Sequence, residues 1–245
     1  MYHFFAPEGE TEAGRIQITG PDVKHITRVL RLGPGDKIMV SDGQDRNRLC
    51  AIAETGPDFV LLEILEEDMS SPEMNRRLTL FQGLPKGDKM DYIIEKSVEL
   101  GVFSLVPVEM ARSVMKLDPK KKENRRQRWQ AKAESAAKQS RRGLIPEVGA
   151  VCSFSEALRQ AAALDGILVP YEEAGDMGLT RELLEKVPEG ASLGVFIGPE
   201  GGFAPEEIEA LQQAGAQLIT LGPRILRTET AGPAFLAMCT LMWEE

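Results

Sequence analysis

Two glycine-proline loops late in the chain carry the residues best suited to chemistry. The first reads Gly198-Pro199-Glu200-Gly201-Gly202-Phe203, and the second reads Gly222-Pro223-Arg224-Ile225-Leu226-Arg227-Thr228-Glu229-Thr230-Ala231. A third candidate, Pro170-Tyr171-Glu172-Glu173, also follows an apolar run. The first loop is rich in glycine and precedes a helical pattern, which suggests phosphate binding. It matches neither GxGxxG nor GxxxxGKS/T. Its central Glu200 would repel a pyrophosphate, so a ligand with hydroxyls or an ammonium group suits it better. A tight turn with positive φ at Gly201 or Gly202 explains the glycines equally well. In the second loop, Thr228 as N-cap and Glu229 in the first helical turn read as ordinary capping. Capping leaves Arg224 and Arg227 unexplained, and they are two of only five basic residues after position 150.

Other chemistries are poorly supplied. The two histidines are His3 and His25, and no CxxC or HxxxH occurs, so no metal site is expected. A Ser-His-Asp triad would have to draw its base from that pair. Cys50, Cys152 and Cys239 are few and scattered, which argues against a disulfide framework and for a reducing, cytoplasmic setting. The longest apolar stretch, Ala234 to Trp243, is about half of the roughly 20 residues that span a bilayer, so no membrane role is expected. The opening MYHFFAPEGE has no basic flank or long apolar region and does not read as a secretory signal.

The elements that must position these loops follow from periodicity. Residues 1–70 read as short strands at Tyr2–Phe5, Arg15–Thr19, Lys37–Ser41, Leu49–Glu54 and Phe59–Leu65, with one helix at Asp22–Arg31 that buries Val23, Ile26, Val29 and Leu30. That pattern predicts a small β-barrel, followed by a polar linker over Glu66–Asn75. From Arg76 onward strands and helices alternate, which predicts an α/β domain with a largely parallel sheet over 71–245. Its predicted strands are Leu78–Gly83, Leu105–Val108, Ile167–Tyr171, Leu193–Ile197 and Gln217–Leu221. Its predicted helices are Asp88–Leu100 with Asp88 as N-cap, Glu123–Arg142, Ser155–Ala163 with a Ser153/Glu156 capping box, Thr180–Lys186, Pro205–Ala214 and Glu229–Trp243. The last is apolar nearly all round, so either it is central or a second subunit covers it. In open α/β sheets ligands bind beyond the carboxyl ends of strands, which is where all three loops fall.

The formal charge of −9 conceals a pattern. Residues 1–72 carry 7 basic and 13 acidic side chains, 73–150 carry 17 and 10, and 151–245 carry 5 and 15. The middle third is therefore cationic, most densely at Lys120, Lys121, Lys122, Arg125, Arg126, Arg128, Lys132, Lys138, Arg141 and Arg142. Such a stripe is either the footprint of a phosphate backbone or a solvated helix face.

Several motifs in one order resemble a known family. These are His25…Val29-Leu30-Arg31…Gly35-Asp36, the run from Lys86-Gly87-Asp88-Lys89 to Glu99-Leu100-Gly101, Arg112-Ser113-Val114, Arg128-Trp129, Gln139-Ser140-Arg141-Arg142…Ile145-Pro146, IGPEGGF and LGPRILRTETA. Together they resemble the RsmE family of 16S ribosomal RNA (uracil-N3) methyltransferases, over essentially the whole chain. The resemblance implies a SPOUT-type α/β domain knotted as a trefoil over 71–245, preceded by a PUA-like RNA-binding β-barrel over 1–70. It also implies S-adenosylmethionine as methyl donor, 16S rRNA of the small ribosomal subunit as substrate with uridine 1498 as the family target, and a homodimer.

Carried over by position, the resemblance implies a cofactor cradle of Val169, Ile197, Gly198, Glu200, Gly201, Leu221, Gly222, Ile225, Leu226, Arg227 and Thr230. Ile197, Leu221, Ile225 and Leu226 would give adenine an apolar slot, and Glu200 would tolerate the donor's ammonium. The reaction needs stabilisation of negative charge on the uracil oxygens, for which Arg227 is the candidate, and a proton acceptor, for which Glu229 is the candidate. RNA phosphates would fall to Arg28 and Arg31 on the barrel helix and to Lys86, Lys89, Arg112, Arg141 and Arg142. Two other functions stay open: a non-catalytic RNA-binding adaptor, and a nucleotide-dependent oxidoreductase, which the missing GxGxxG disfavours.

Overall fold

The computed structural model describes residues 1–6, 14–67, 69–172 and 174–244. Part of the N-terminal stretch, Asp68 of the expected linker and Glu173 of the third loop lie outside the described residues. The chain forms two compact units.

The first unit comprises Met1–Glu73 and Ala137–Ile145. Strands β1 (His3–Phe5), β2 (Arg15–Thr19), β3 (Lys37–Ser41), β4 (Asn47–Thr55) and β5 (Phe59–Glu66) make one curled sheet in the order β1-β3-β4-β5-β2. All neighbours are antiparallel except β1 with β3, and the sheet closes half of a barrel. Alternation sets the core: β2 buries Ile16 and Ile18 and turns Gln17 and Thr19 outward. These pack with Phe4, Ile38, Val40, Ile52, Val60 and Leu62.

The helix expected at Asp22–Arg31 is broken in two. Helix α1 (Pro21–Lys24) runs into a π-helical turn at His25–Val29, where the Leu30 N–H reaches back five residues to the His25 carbonyl at 2.9 Å. The wider turn keeps Val23 and Ile26 buried but rotates Val29 outward, to 66% exposure. Arg31 follows with φ of 57°, so it lies beyond the helix and not on it. The expected linker also has a structural task. Glu73 accepts Nε–H of the buried Arg142 and the backbone N–H groups of Gly143 and Leu144.

The second unit comprises Met74–Ala136 and Pro146–Glu245. In chain order it holds β6 (Arg77–Gly83), α2 (Lys89–Glu99), β7 (Ser104–Glu109), α3 (Pro119–Ser140, whose last turn belongs to the first unit), β8 (Glu147–Val148), β9 (Cys152–Ser153) and α4 (Phe154–Ala161). Then come β10 (Gly166–Pro170), α5 (Met177–Glu185), β11 (Ser192–Ile197), α6 (Pro205–Gln213), β12 (Gln217–Ile219) and α7 (Thr228–Trp243). The sheet order is β12-β10-β11-β6-β7-β8, with β9 beside β7, and every pairing is parallel. The central strand β11 is buried along five of its six residues, as helices on both faces require. Phe81 and Phe196 stack in the core with ring centroids 4.5 Å apart.

Local signals place the helices. Ser153 and Glu156 form the expected capping box of α4, and Pro205 opens α6. Asp88 does occupy the N-cap position of α2, but its carboxylate reaches Arg125 and Arg128 of α3 instead of a helix N–H. Thr228 is not the N-cap of α7. That position falls to Arg227, and Thr228 is the first helical residue. Helix α7 buries Gly232, Phe235, Leu236, Cys239 and Trp243, and packs on α2, α5 and β11. Its Leu241 stays 83% exposed.

Candidate active-site cleft

Strands β12, β10 and β11 lie side by side and parallel, so their carboxyl ends open on one edge of the sheet. The three loops that leave them border a single cleft of about 720 Å³. This volume suits a small molecule or cofactor. The Gly198–Phe203 loop turns back sharply, with the Gly202 N–H donating to the Pro199 carbonyl at 2.9 Å. Gly202 has φ of 67°, and a Cβ on Gly198 would lie 3.2 Å from the Gly202 backbone. One glycine supplies the left-handed conformation and the other the close approach. The second loop is pinned at its start by Thr180 of α5, whose hydroxyl accepts the Thr220 N–H at 3.1 Å.

Two ties join the loops. On the floor, the Thr228 hydroxyl donates to the Gly198 carbonyl at 2.6 Å and accepts from Gln82 Nε2 at 2.9 Å. On the rim, Lys89 Nζ lies 3.0 Å from Glu200 and 3.1 Å from Glu229. The Lys86 N–H also donates to Glu200, and Arg112 donates to the Gly201 carbonyl, each at 3.0 Å. The carboxylates of Glu200 and then Glu229 beside it raise the Lys89 ammonium above its ordinary value. Burial works against the charge on Glu200, but Lys89 and backbone N–H donors outweigh it and hold the carboxyl below the usual carboxylate range. The Glu229 carboxyl is lowered too, by its own backbone N–H, against partial burial, and by Lys89 and Arg227. The lining carries four cations, Lys89, Arg112, Arg224 and Arg227, against Glu172, Glu200 and Glu229.

Of the expected cradle, Ile197, Gly198, Glu200, Gly201, Leu221, Gly222, Ile225, Leu226 and Arg227 line this cleft, as does Glu229. Val169 does not, because it is wholly buried in the sheet core beneath. Thr230 does not either. It points outward from the first turn of α7, with its N–H on the Arg227 carbonyl at 2.8 Å. Ile225 is 83% exposed, so as the protein stands it forms a lip and not the wall of a slot.

Lys89 and Arg112, expected on RNA phosphates, line the cleft. Arg142 is 4% exposed and spent on Glu73, so it is structural. Arg28, Arg31, Lys86 and Arg141 are exposed, and among the described residues none forms an ion pair. The dense stripe on α3 is largely neutralised. Arg125 and Arg128 face Asp88, Arg128 also faces Asp91, Lys132 faces Glu95, Lys122 faces Glu109 and Arg126 faces Glu123. Sequence reasoning missed Gln82, while Tyr171 of the third candidate loop lines the cleft. The available signal for Gln82 was a glutamine closing the mostly apolar strand LTLFQ.

A parallel α/β sheet with a part-apolar cleft at its strand ends, rimmed by arginines and braced carboxylates, defines a small-molecule-dependent enzyme domain. It is joined to a curled β unit. The chain matches the RNA methyltransferase domain family over residues 72–240 and the RNA methyltransferase PUA domain family over residues 18–65. It is 38% identical to ribosomal RNA small subunit methyltransferase E of Bacillus subtilis, over 90% of this chain and 87% of that protein. It is 32% identical to the Mycobacterium bovis protein of the same name, over 93% of this chain and 87% of the relative. A crystal structure of the Neisseria gonorrhoeae methyltransferase E bound to S-adenosyl methionine superposes with a TM-score of 0.84 at 31% identity, covering 99% of this chain and 98% of that one. The chain therefore belongs to the ribosomal RNA small subunit methyltransferase E family of RNA methyltransferases. Among the described residues, no helix is long and apolar enough to cross a membrane, and no three His, Cys, Asp or Glu side chains gather as a metal site.

Proposed function

We propose that this protein transfers a methyl group from S-adenosylmethionine to N3 of a uridine in 16S rRNA of the small ribosomal subunit, uridine 1498 being the family target. The observation that carries the reading is the convergence of both glycine-proline loops on one cleft with Arg227 at its edge. The residues present fit the donor. Ile197, Leu221 and Leu226 offer apolar surface, the loop backbones offer hydrogen bonds, and the Glu200 carboxylate suits an ammonium. When bound, S-adenosylmethionine supplies a methyl group already activated by its sulfonium.

The chain's own residues then act on the acceptor. Arg227 is exposed at the cleft, where its guanidinium meets the negative charge that spreads to the uracil oxygens as the N3 proton leaves. Glu229 is the candidate to receive that proton. Its own backbone N–H, then Lys89 and Arg227, keep it ionised, which leaves it able to accept but weakly basic. The N3 edge is occupied in a Watson–Crick pair, so the target base must be unpaired or displaced.

The remaining assignments belong to the same proposal. Residues 1–70 act as the PUA-like RNA-binding domain and 71–245 as the catalytic domain, whose chain is threaded as the family's trefoil. Arg28, Arg31, Lys86 and Arg141 contact phosphates. The protein works in the cytoplasm as a homodimer, and the partner covers the exposed Leu241 face of α7. The test combines titration with S-adenosylmethionine and reverse transcription of unmodified small subunits treated with protein and donor. An N3-methyl group blocks pairing, so a new stop at one uridine is expected. Folded protein that neither binds donor nor creates a stop refutes the proposal. RNA binding without either points to an adaptor.

A further inference from the structure

We propose that Lys89 is the positioning residue of the cleft: from the first turn of α2 it clamps Glu200 of the glycine-rich loop to Glu229 at the start of α7 and so fixes the distance between the two walls. Its ammonium bridges carboxylates 29 positions apart in sequence, at 3.0 and 3.1 Å. The Lys86 N–H closes on the same Glu200, so the short segment 86–89 holds that side chain twice. The clamp is only part-exposed, with side-chain accessibilities of 32% for Lys89, 27% for Glu200 and 20% for Glu229. An isolated surface pair contributes little, but a bridge of three charges joining separate loops is a network whose loss releases both.

The neighbouring charges leave Lys89 as the joining group. Asp88 and Asp91 on α2 are turned to Arg125 and Arg128 of α3. Glu200 faces Lys89, the Lys86 N–H and its own backbone N–H. Glu229 faces Lys89, Arg227 and its own N–H. Arg227 leaves from the same turn as Glu229 and acts on it through its charge, and among the described residues no ion pair joins Arg227 to Glu200. The inference rests on the proposed function only for what the cleft holds; the clamp is made by the chain's own side chains.

The test therefore begins without ligand. In the full chain, amide exchange over 198–202 and 228–231 is compared for wild type, Lys89→Met and Lys89→Arg, and the Glu200 and Glu229 carboxyl carbons are titrated by NMR. Lys89→Met is expected to speed exchange in both segments by roughly tenfold, leave β6 and β11 unchanged, and move both carboxyl midpoints upward. Lys89→Arg keeps the charge and stays within about threefold of wild type. Unchanged exchange, unmoved midpoints, or an arginine variant as altered as the methionine one overturns the clamp. Titration with S-adenosylhomocysteine is the last arm, and roughly tenfold weaker binding by Lys89→Met is expected. Failure of wild type to bind it would count against the proposed function alone, because exchange and titration judge the clamp by themselves.

Discussion

Replacing Thr228 by valine removes one oxygen from a nearly closed site while keeping the side chain's shape. That residue is 7% exposed, and its hydroxyl joins three segments: Gln82 at the end of β6, Gly198 after β11, and the first turn of α7. The Gly198 carbonyl then loses its donor. Gln82, wholly buried, keeps the Gly83 carbonyl as a partner for Nε2 but loses the other. Each buried polar group left without a partner costs about 1–3 kcal/mol. The Gly198 carbonyl borders the open cleft, where water can replace part of the loss, so the sum is about 2 kcal/mol, or roughly thirtyfold in the folded-to-unfolded ratio. The assay is urea unfolding followed by tryptophan fluorescence. Both tryptophans, Trp129 and Trp243, lie in the second unit, so the signal reports that unit alone. Thr228→Ser keeps the hydroxyl and should lose well under half as much. A valine variant within about 0.5 kcal/mol of wild type would refute the stitch as a source of stability.

Other expectations follow from the same geometry. Arg227→Ala should still bind S-adenosylhomocysteine but lose methyl transfer, and loss of binding instead would move Arg227 to the donor side. Arg142→Gln leaves the part-buried Glu73 without its cation and should destabilise the first unit by about 2 kcal/mol, whereas Arg141→Gln should leave melting unchanged and weaken RNA binding; equal effects on melting would contradict the assignment. Gly202→Ala meets open space and costs only the left-handed backbone, about 1 kcal/mol, while Gly198→Ala must shift the Gly202 turn slightly and should weaken donor-analogue binding. Because the Glu200 and Glu229 carboxyls lie below their ordinary values, their stabilisation is complete above the usual carboxylate range and fades as pH falls through the lowered values. Unfolding measured across that range should show it, and a loss beginning well above it would contradict the lowering. Burial pushes the Cys50 and Cys152 thiols up to about 11, and Cys239 higher still, so none should react with a thiol reagent at neutral pH until the chain unfolds.

The sequence by itself determined where strands and helices alternate, because the apolar period of two or of 3.6 is a local property. Arg15–Thr19 and Lys37–Ser41 appear with the bounds read from the sequence, and the parallel sheet follows from the alternation. It also marked the two glycine-proline loops, since glycine turns and stray arginines are visible without coordinates. Tertiary structure decided the rest. The π-helical turn that rotates Val29 outward depends on a hydrogen-bond register that no residue type announces. The basic stripe could be read as an RNA footprint or as a solvated helix face until packing set α3 against acidic partners on α2, and a charge's role depends on its partners as well as its sign. Lys89 in the cleft and Gln82 buried behind Thr228 come from segments more than 100 residues away from the loops they hold. Side-chain partners across such distances arise only when the sheet order brings strand ends together, and strand order is a property of the whole fold.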